Sequence, residues 1–176
     1  AERRQQIAAA LRQTAAHVGG QVPADEALLD EVTDLVEQPL PLLGRFDPDF
    51  LALPAPVLIT VMKKHQRYFP VVDAGGKLLP YFITIANGAD RDRDLVTRGN
   101  EAVIRARYAD AAYFVRQDRK RLLEAFNRDL AKLTFQEQLG SMLAKVYRLE
   151  KLVAPVARQL GLDAAGRAAA ARAALL

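Results

Sequence analysis

A chain of 176 residues, 51% of them hydrophobic, has the length and apolar content of one packed domain or one and a part. The absence of cysteine excludes disulfides, thiolate zinc sites and cysteine nucleophiles, and agrees with a reducing compartment. A net charge of +4 leans mildly toward anionic partners, and no apolar run or secretory leader pattern points to a membrane, so a cytoplasmic location is expected.

Ile7, Leu11 and Val18 lie at helical spacing ahead of Gly19 and Gly20, which predicts an opening helix. Asp25 is placed to cap a second helix with the apolar face Leu28, Leu29, Val32, Leu35 and Val36, ended by Pro39 and Pro41. The following LLGRFDPDFLALPAP is rich in turn formers and is expected to wind over the surface until Pro54 or Pro56 opens a short element. Over 57–66 the spacing of Val57, Leu58, Val61 and Met62 fits a helix while the β-branched content fits a strand; the helix is the expectation. Residues 68–72 and 78–86 are aromatic and β-branched, and Asp73-Ala74-Gly75-Gly76 between them supplies the positive dihedrals of a hairpin turn. Asp94 is expected to cap a long helix reaching about 120, with another helix over 122–130. Thr134 and Glu137 have capping-box spacing ahead of an apolar stripe, Leu139, Leu143, Val146, Leu149, Val153, Val156 and Leu160, that Pro155 should kink. The fold class expected is α+β, mainly helical with a small antiparallel hairpin near 68–86, then the start of an all-helical domain beyond 133. The missing initial methionine and the uncapped helical run AAGRAAAARAALL read as an internal segment of a longer protein.

Lys63, Lys64, His65 and Arg67 run directly into Tyr68 and Phe69, a pairing of cations and flat rings that suits RNA, whose phosphates need neutralising and whose unstacked bases accept a ring. Between Arg91 and Arg121, nine Lys/Arg stand against five Asp/Glu, an excess equal to that of the whole chain. On a helical wheel Arg98, Arg105 and Arg116 form one basic stripe, opposite Val103, Ile104, Ala111, Phe114 and Val115, which are expected in the core. The candidate RNA-binding residues are therefore Lys63, Lys64, Arg67, Arg98, Arg105 and Arg116, against the plainer reading of a solvated charged face. Arg107 falls inside the apolar arc, which predicts an internal ion pair with Asp110 or Asp118. Tyr68 is expected in the hairpin core rather than as a stacking platform.

No catalytic residue and no metal site emerges. His17 and His65 lack partners at ligand spacing, Ser141 lacks an elbow motif, and DAGGK lacks Walker spacing and reads as a turn. Asp90, Asp92 and Asp94 alternate with Arg91 and Arg93 as in a solvated loop.

Several long blocks in one order, LVEQPLPLLGRFD, VLITVMKKHQRYFPVVDAGGKLLPYFITIANG, RGNEAVIRARYADAAYFVRQDRK and TFQEQLG, resemble the β subunit of bacterial glycyl-tRNA synthetase of the two-subunit kind. The resemblance covers about 28–160 and only a minor part of that subunit. It implies an α+β module over 1–133, similar to the tRNA-arm-binding module shared with phenylalanyl-tRNA synthetase. Residues 134–176 would then begin a helical domain of His-Asp phosphohydrolase type, whose ligand residues do not appear in this sequence. It further implies a subunit that binds tRNA(Gly) and organises a heterotetrameric glycine-tRNA ligase, with glycine activation in a separate α subunit. ATP and magnesium are implied for the holoenzyme; no ATP site or glycine pocket carries over onto any residue here. The implied partners are tRNA(Gly) and the α subunit, with no membrane and no DNA. Two other readings stay open, a subunit- or domain-docking scaffold without RNA contact and a piece of a metal-dependent phosphohydrolase.

Overall fold

The apolar run after the Gly-rich turn becomes the central strand of a three-stranded antiparallel sheet in the computed structural model, which describes residues 2–88 and 90–176. The Asp90 side chain, placed by the sequence in an acidic and basic loop, lies outside the described residues. The chain divides into two compact units, Ala1–Val115 and Arg116–Leu176.

In the first unit, helices α1 (Glu2–Ala16) and α2 (Glu26–Leu35) lead to strand β1 (Pro39–Arg45). A 3₁₀ turn (Pro48–Ala52) and helix α3 (Ala55–Thr60) follow, and α3 continues as a π turn (Val61–His65). The expected helix over 57–66 is thus present, with its last turn widened. Strands β2 (Phe69–Val72) and β3 (Leu78–Asn87) form the expected hairpin. Asp73 accepts the Gly75 and Lys77 N–H groups at 2.9 Å each, and Gly76 takes φ +82°, a conformation open to glycine without steric cost. Helix α4 (Arg93–Asp118) closes the unit, with Asp94 inside its first turn rather than at its cap.

Strand β1 corrects the expectation that 42–56 winds over the surface and that Pro39 and Pro41 only end a helix. Residues 39–45 pair with β3 without a register break, giving the order β1-β3-β2. The bonds Phe46 N→Pro80 O and Gly88 N→Gln38 O fix the parity: even-numbered β1 residues bond β3, odd-numbered ones face outward. Both prolines are odd, so neither removes a donor from the ladder, and together they blunt the free edge. Gly44 is paired with Phe82, whose ring occupies the space a Cβ would need.

Alternation along the strands sends side chains into two cores. Phe69, Val71, Ile83 and Ile85 pack with Ile7, Leu11, Leu28, Leu29 and Val32 of α1 and α2. On the other face Tyr68, Val72, Leu78 and Phe82 pack with Leu58, Met62, Ile104 and Tyr108. The first unit is therefore a helix, sheet, helix sandwich.

The buried stripe of α4 is Ile104, Tyr108 and Ala112, so the expected core face was rotated about the axis. Val103 and Phe114 are exposed, and Arg107 is exposed with no ion-pair partner among the described residues. Tyr108 causes the rotation. Its ring meets Phe46 and Phe50 edge-on at 5.0 and 5.4 Å, and its hydroxyl points to the Leu58 carbonyl at 3.4 Å. A tyrosine whose hydroxyl finds an acceptor is a core residue of large buried area, a property the charge-based wheel did not weigh. Burial also pushes its phenol pKa up.

In the second unit, helix α5 (Leu123–Phe126) passes into a 3₁₀ turn (Asn127–Lys132). Strands β4 (Thr134–Gln136) and β5 (Gly140–Ser141) make a short ribbon, and helices α6 (Met142–Gln159) and α7 (Ala164–Leu175) pack together. The expected capping box at Thr134 and Glu137 is absent. Ser141 caps α6 instead, accepting the Ala144 N–H at 3.2 Å, and Thr134 is its partner across the ribbon. Helix α6 runs through Pro155 to Gln159. The expected division at 133/134 falls inside this unit.

Candidate nucleic-acid interface

The sequence-predicted cations divide according to what neutralises them. Helix α2 is acidic throughout, and its carboxylates reach the basic π turn. Lys63 Nζ lies 2.7 Å from Asp25 Oδ2, and Arg67 Nε lies 2.6 Å from Glu31 Oε1. Arg4 of α1 pairs with Glu26 and Asp30 of α2. The Lys63 ammonium, with the Leu28 N–H, holds the Asp25 carboxyl below its ordinary pKa. Lys63 and Arg67 thus clasp α2 to the π turn, and a phosphate would have to compete with carboxylates already in place. Lys64, between them, is exposed and has no ion-pair or hydrogen-bond partner among the described residues.

Tyr68, expected in the core, is there. It is 4% exposed, stacks on Phe82 at 4.8 Å and donates from its hydroxyl to Asn100 Oδ1 at 2.7 Å. Desolvation raises its pKa. No base can reach this ring without unfolding the hairpin.

Arg98 and Arg105 are exposed, and neither has an ion-pair or hydrogen-bond partner among the described residues. They do not join the π-turn cluster. Asn100 faces Tyr68, and at 100° per residue Arg105 and Arg98 lie about 140° and 160° around α4 from it. Arg105 lies on the β1 side, beside Arg45, and Arg98 shares its face of α4. Glu101 Oε1 accepts the Arg45 N–H at 3.0 Å, and Arg93 donates to the Pro41 carbonyl at 2.5 Å, so α4 runs along the outer edge of β1. The π turn instead leads into β2, on the other side of β3. Two strand spacings, about 9.5 Å, separate the two edges. Arg116 is exposed on the last turn of α4, within the second unit.

At the β1 edge a pocket of about 480 Å³ opens between Arg45, Asp47, Tyr81, Glu101 and Arg105. Arg45, Tyr81 and Glu101 were not among the sequence candidates. The signal that could have found Arg45 is the alternation of prolines in PLPLLGR, which marks an edge strand and places its last residue opposite Tyr81.

Among the described residues no group of three or more His, Cys, Asp or Glu is arranged to hold a metal, and no helix is long and apolar enough to cross a membrane. The DAGGK run is the hairpin turn and offers no phosphate loop.

A family model described as glycyl-tRNA synthetase beta subunit matches residues 1–176. The chain is 46% identical over 175 residues to the glycine--tRNA ligase beta subunit of Desulfitobacterium hafniense (strain Y51), an alignment covering 99% of this chain and 25% of that protein. With the protein of the same name from Halalkalibacterium halodurans the identity is 51% over 140 residues, covering 80% and 20%. With that of Bacillus subtilis (strain 168) it is 45% over 161 residues, covering 92% and 24%. The chain spans about a quarter of the length of the curated relatives it matches.

Proposed function

The chain belongs to the glycyl-tRNA synthetase beta subunit family, and from that membership we propose that it serves a glycine-tRNA ligase as a tRNA-positioning module, with chemistry performed elsewhere in the holoenzyme. In this reading residues 1–133 form the tRNA-arm-binding-like module and 134–176 begin a helical domain. Glycine activation with ATP and magnesium belongs to a separate α subunit. The residues present do not fit ATP or magnesium, since those described include neither a phosphate loop nor three or more acidic or histidine side chains arranged to hold a metal. No step is routed through either.

The observation that carries the reading is the flank of α4 along β1. Arg98 and Arg105 stand there without carboxylate partners, in a unit whose other large basic cluster is already clasped by α2. Free guanidinium groups on a rigid helix suit phosphate contacts, which set register and orientation without reading sequence. Lys64 and Arg116 are secondary contacts in this proposal, and Lys63 and Arg67 would contribute only on leaving Asp25 and Glu31.

The test is tRNA(Gly) binding by the full α/β holoenzyme across a salt series. Charge reversal Arg98→Glu should weaken binding and reduce the slope of log K against log salt by about 1 or more. An unchanged affinity and slope in Arg98→Glu, with the same result on substitution of Arg105, would sink the reading. A docking role for the second unit is favoured by one observation: Leu149, Leu152, Val156 and Leu160 are exposed along α6 and line an apolar groove with Leu162 and Ala170 of about 230 Å³.

A further inference from the structure

The pocket at the β1 edge is not a simple cationic patch, and its mixture of groups restricts what can enter. It holds two guanidinium groups, Arg45 and Arg105, and two carboxylates, Asp47 and Glu101, with the Tyr81 ring beside them. Opposite charges sharing one pocket would ordinarily collapse into ion pairs. Here they do not: none of the four charges forms a salt bridge with another among the described residues. Each carboxylate is held by the backbone instead. Glu101 Oε1 accepts the Arg45 N–H at 3.0 Å, and Asp47 Oδ1 accepts the Asp49 N–H at 3.0 Å as the cap of the 3₁₀ turn. Arg45 ends a β-strand, Glu101 and Arg105 stand one turn apart on α4, and Asp47 caps the turn, so rigid elements present all four.

Two sets of unpaired donors and two acceptors with lone pairs to spare call for a ligand that both accepts and donates. A sulfate or chloride ion offers acceptors only and would meet two carboxylates. A phosphodiester attached to a ribose satisfies both sets: its oxygens accept from the guanidinium forks, and its 2′-hydroxyl donates to a carboxylate. A volume of about 480 Å³ accommodates a unit of that size. We infer that this pocket seats one ribonucleotide of the tRNA backbone, with the phosphate on Arg45 and Arg105 and the 2′-hydroxyl toward Glu101 or Asp47. The inference rests on the tRNA-positioning reading and adds to it a defined site, a new contact residue in Arg45, and a preference for RNA over DNA.

The experiment compares the α/β holoenzyme binding a tRNA(Gly) transcript and a DNA strand of the same sequence, each across a salt series. Arg45→Gln leaves the main-chain N–H on Glu101 intact, and Glu101→Gln keeps a carbonyl acceptor for that N–H, so both variants retain the strand end; unchanged thermal midpoints verify this. Arg45→Gln and Arg105→Gln should each weaken tRNA binding roughly tenfold and lower the salt slope by about 1. Glu101→Gln should narrow the preference for RNA over DNA with little change in salt slope. If Arg98→Glu weakens binding while Arg45→Gln and Arg105→Gln do not, the pocket inference is overturned and the tRNA-positioning reading stands. If none of the three weakens binding, both fall. Loss of affinity in Arg45→Gln and Arg105→Gln without any RNA preference in the unsubstituted protein overturns the ribose contact.

Discussion

Arg67 is the single non-glycine residue with positive φ among those described, at +57°, and it follows Gln66, the C-cap of the π turn. Left-handed backbone costs a side-chain-bearing residue about 1 kcal/mol or more relative to glycine. The strain is held by what surrounds it: the Arg67 N–H bonds the Lys63 carbonyl at 3.1 Å, and the side chain pairs with Glu31. The ion pair is half exposed and contributes little by itself. Arg67→Ala and Arg67→Gly both delete the pair and differ chiefly in backbone preference. Arg67→Gly should therefore be the more stable of the two by about 1 kcal/mol in denaturant unfolding, and equal stabilities would show that φ at this position carries no cost. The basic character of Arg67 was legible in the sequence. Its conformation and its carboxylate were not, because the glycine-like φ follows from a widened turn and Glu31 lies 36 residues away.

Helix α2 illustrates how much of an element the sequence carries. Its cap and most of its apolar face follow from local chemistry, and Asp25 accepts the Leu28 N–H at 3.0 Å as the spacing predicts, whereas Leu35, expected on that face, is exposed and the helix ends there, ahead of the prolines. Asp25 also holds Lys63, which lowers its pKa from an ordinary value of 3.8. A carboxylate whose folded pKa is depressed stabilises the fold at pH above its unfolded pKa, and that contribution is lost as pH falls through the folded value. Asp25→Asn keeps a good cap and removes the titrating charge. The stability difference between the unsubstituted protein and Asp25→Asn should therefore be present at neutral pH and shrink as pH falls from roughly 5 toward 2. A gap independent of pH in denaturant titrations would remove the charge from the account. Strand β1 is the contrasting element. Its prolines and glycine carry strong local turn signals, and only pairing with β3 makes the segment a strand.

The two units differ in how much core they contain. The first has helices on both faces of its sheet, with Ile83, Phe82 and Val71 fully buried. In the second, Val146 and Ala157 are the only buried hydrophobics among the described residues, and much of the apolar stripe of α6 is exposed. Local opening is easiest where few apolar contacts oppose it. In this 176-residue chain, amide hydrogen exchange should be slowest in β3 and faster throughout α6 and α7, read by mass spectrometry. Equal protection of the two units would contradict the burial pattern. At this scale the basic clusters also separate: one at the β2 side is clasped by α2, and one at the β1 side lies open along α4.

Local sequence determined the mainly helical α+β class, the hairpin with its Asp-Ala-Gly-Gly turn, the cap of α2 and the burial of Tyr68, because each depends on periodicity or turn chemistry within a few residues. The quoted blocks also carried the family. Tertiary structure alone decided that 39–45 is a strand, that Tyr108 rotates the core face of α4, and that Lys63 and Arg67 meet carboxylates while Arg98 and Arg105 do not. These outcomes depend on pairing between residues distant in the chain. A helical wheel records which side chains share a face, but the charge or surface that face meets is set by the neighbour the fold brings to it.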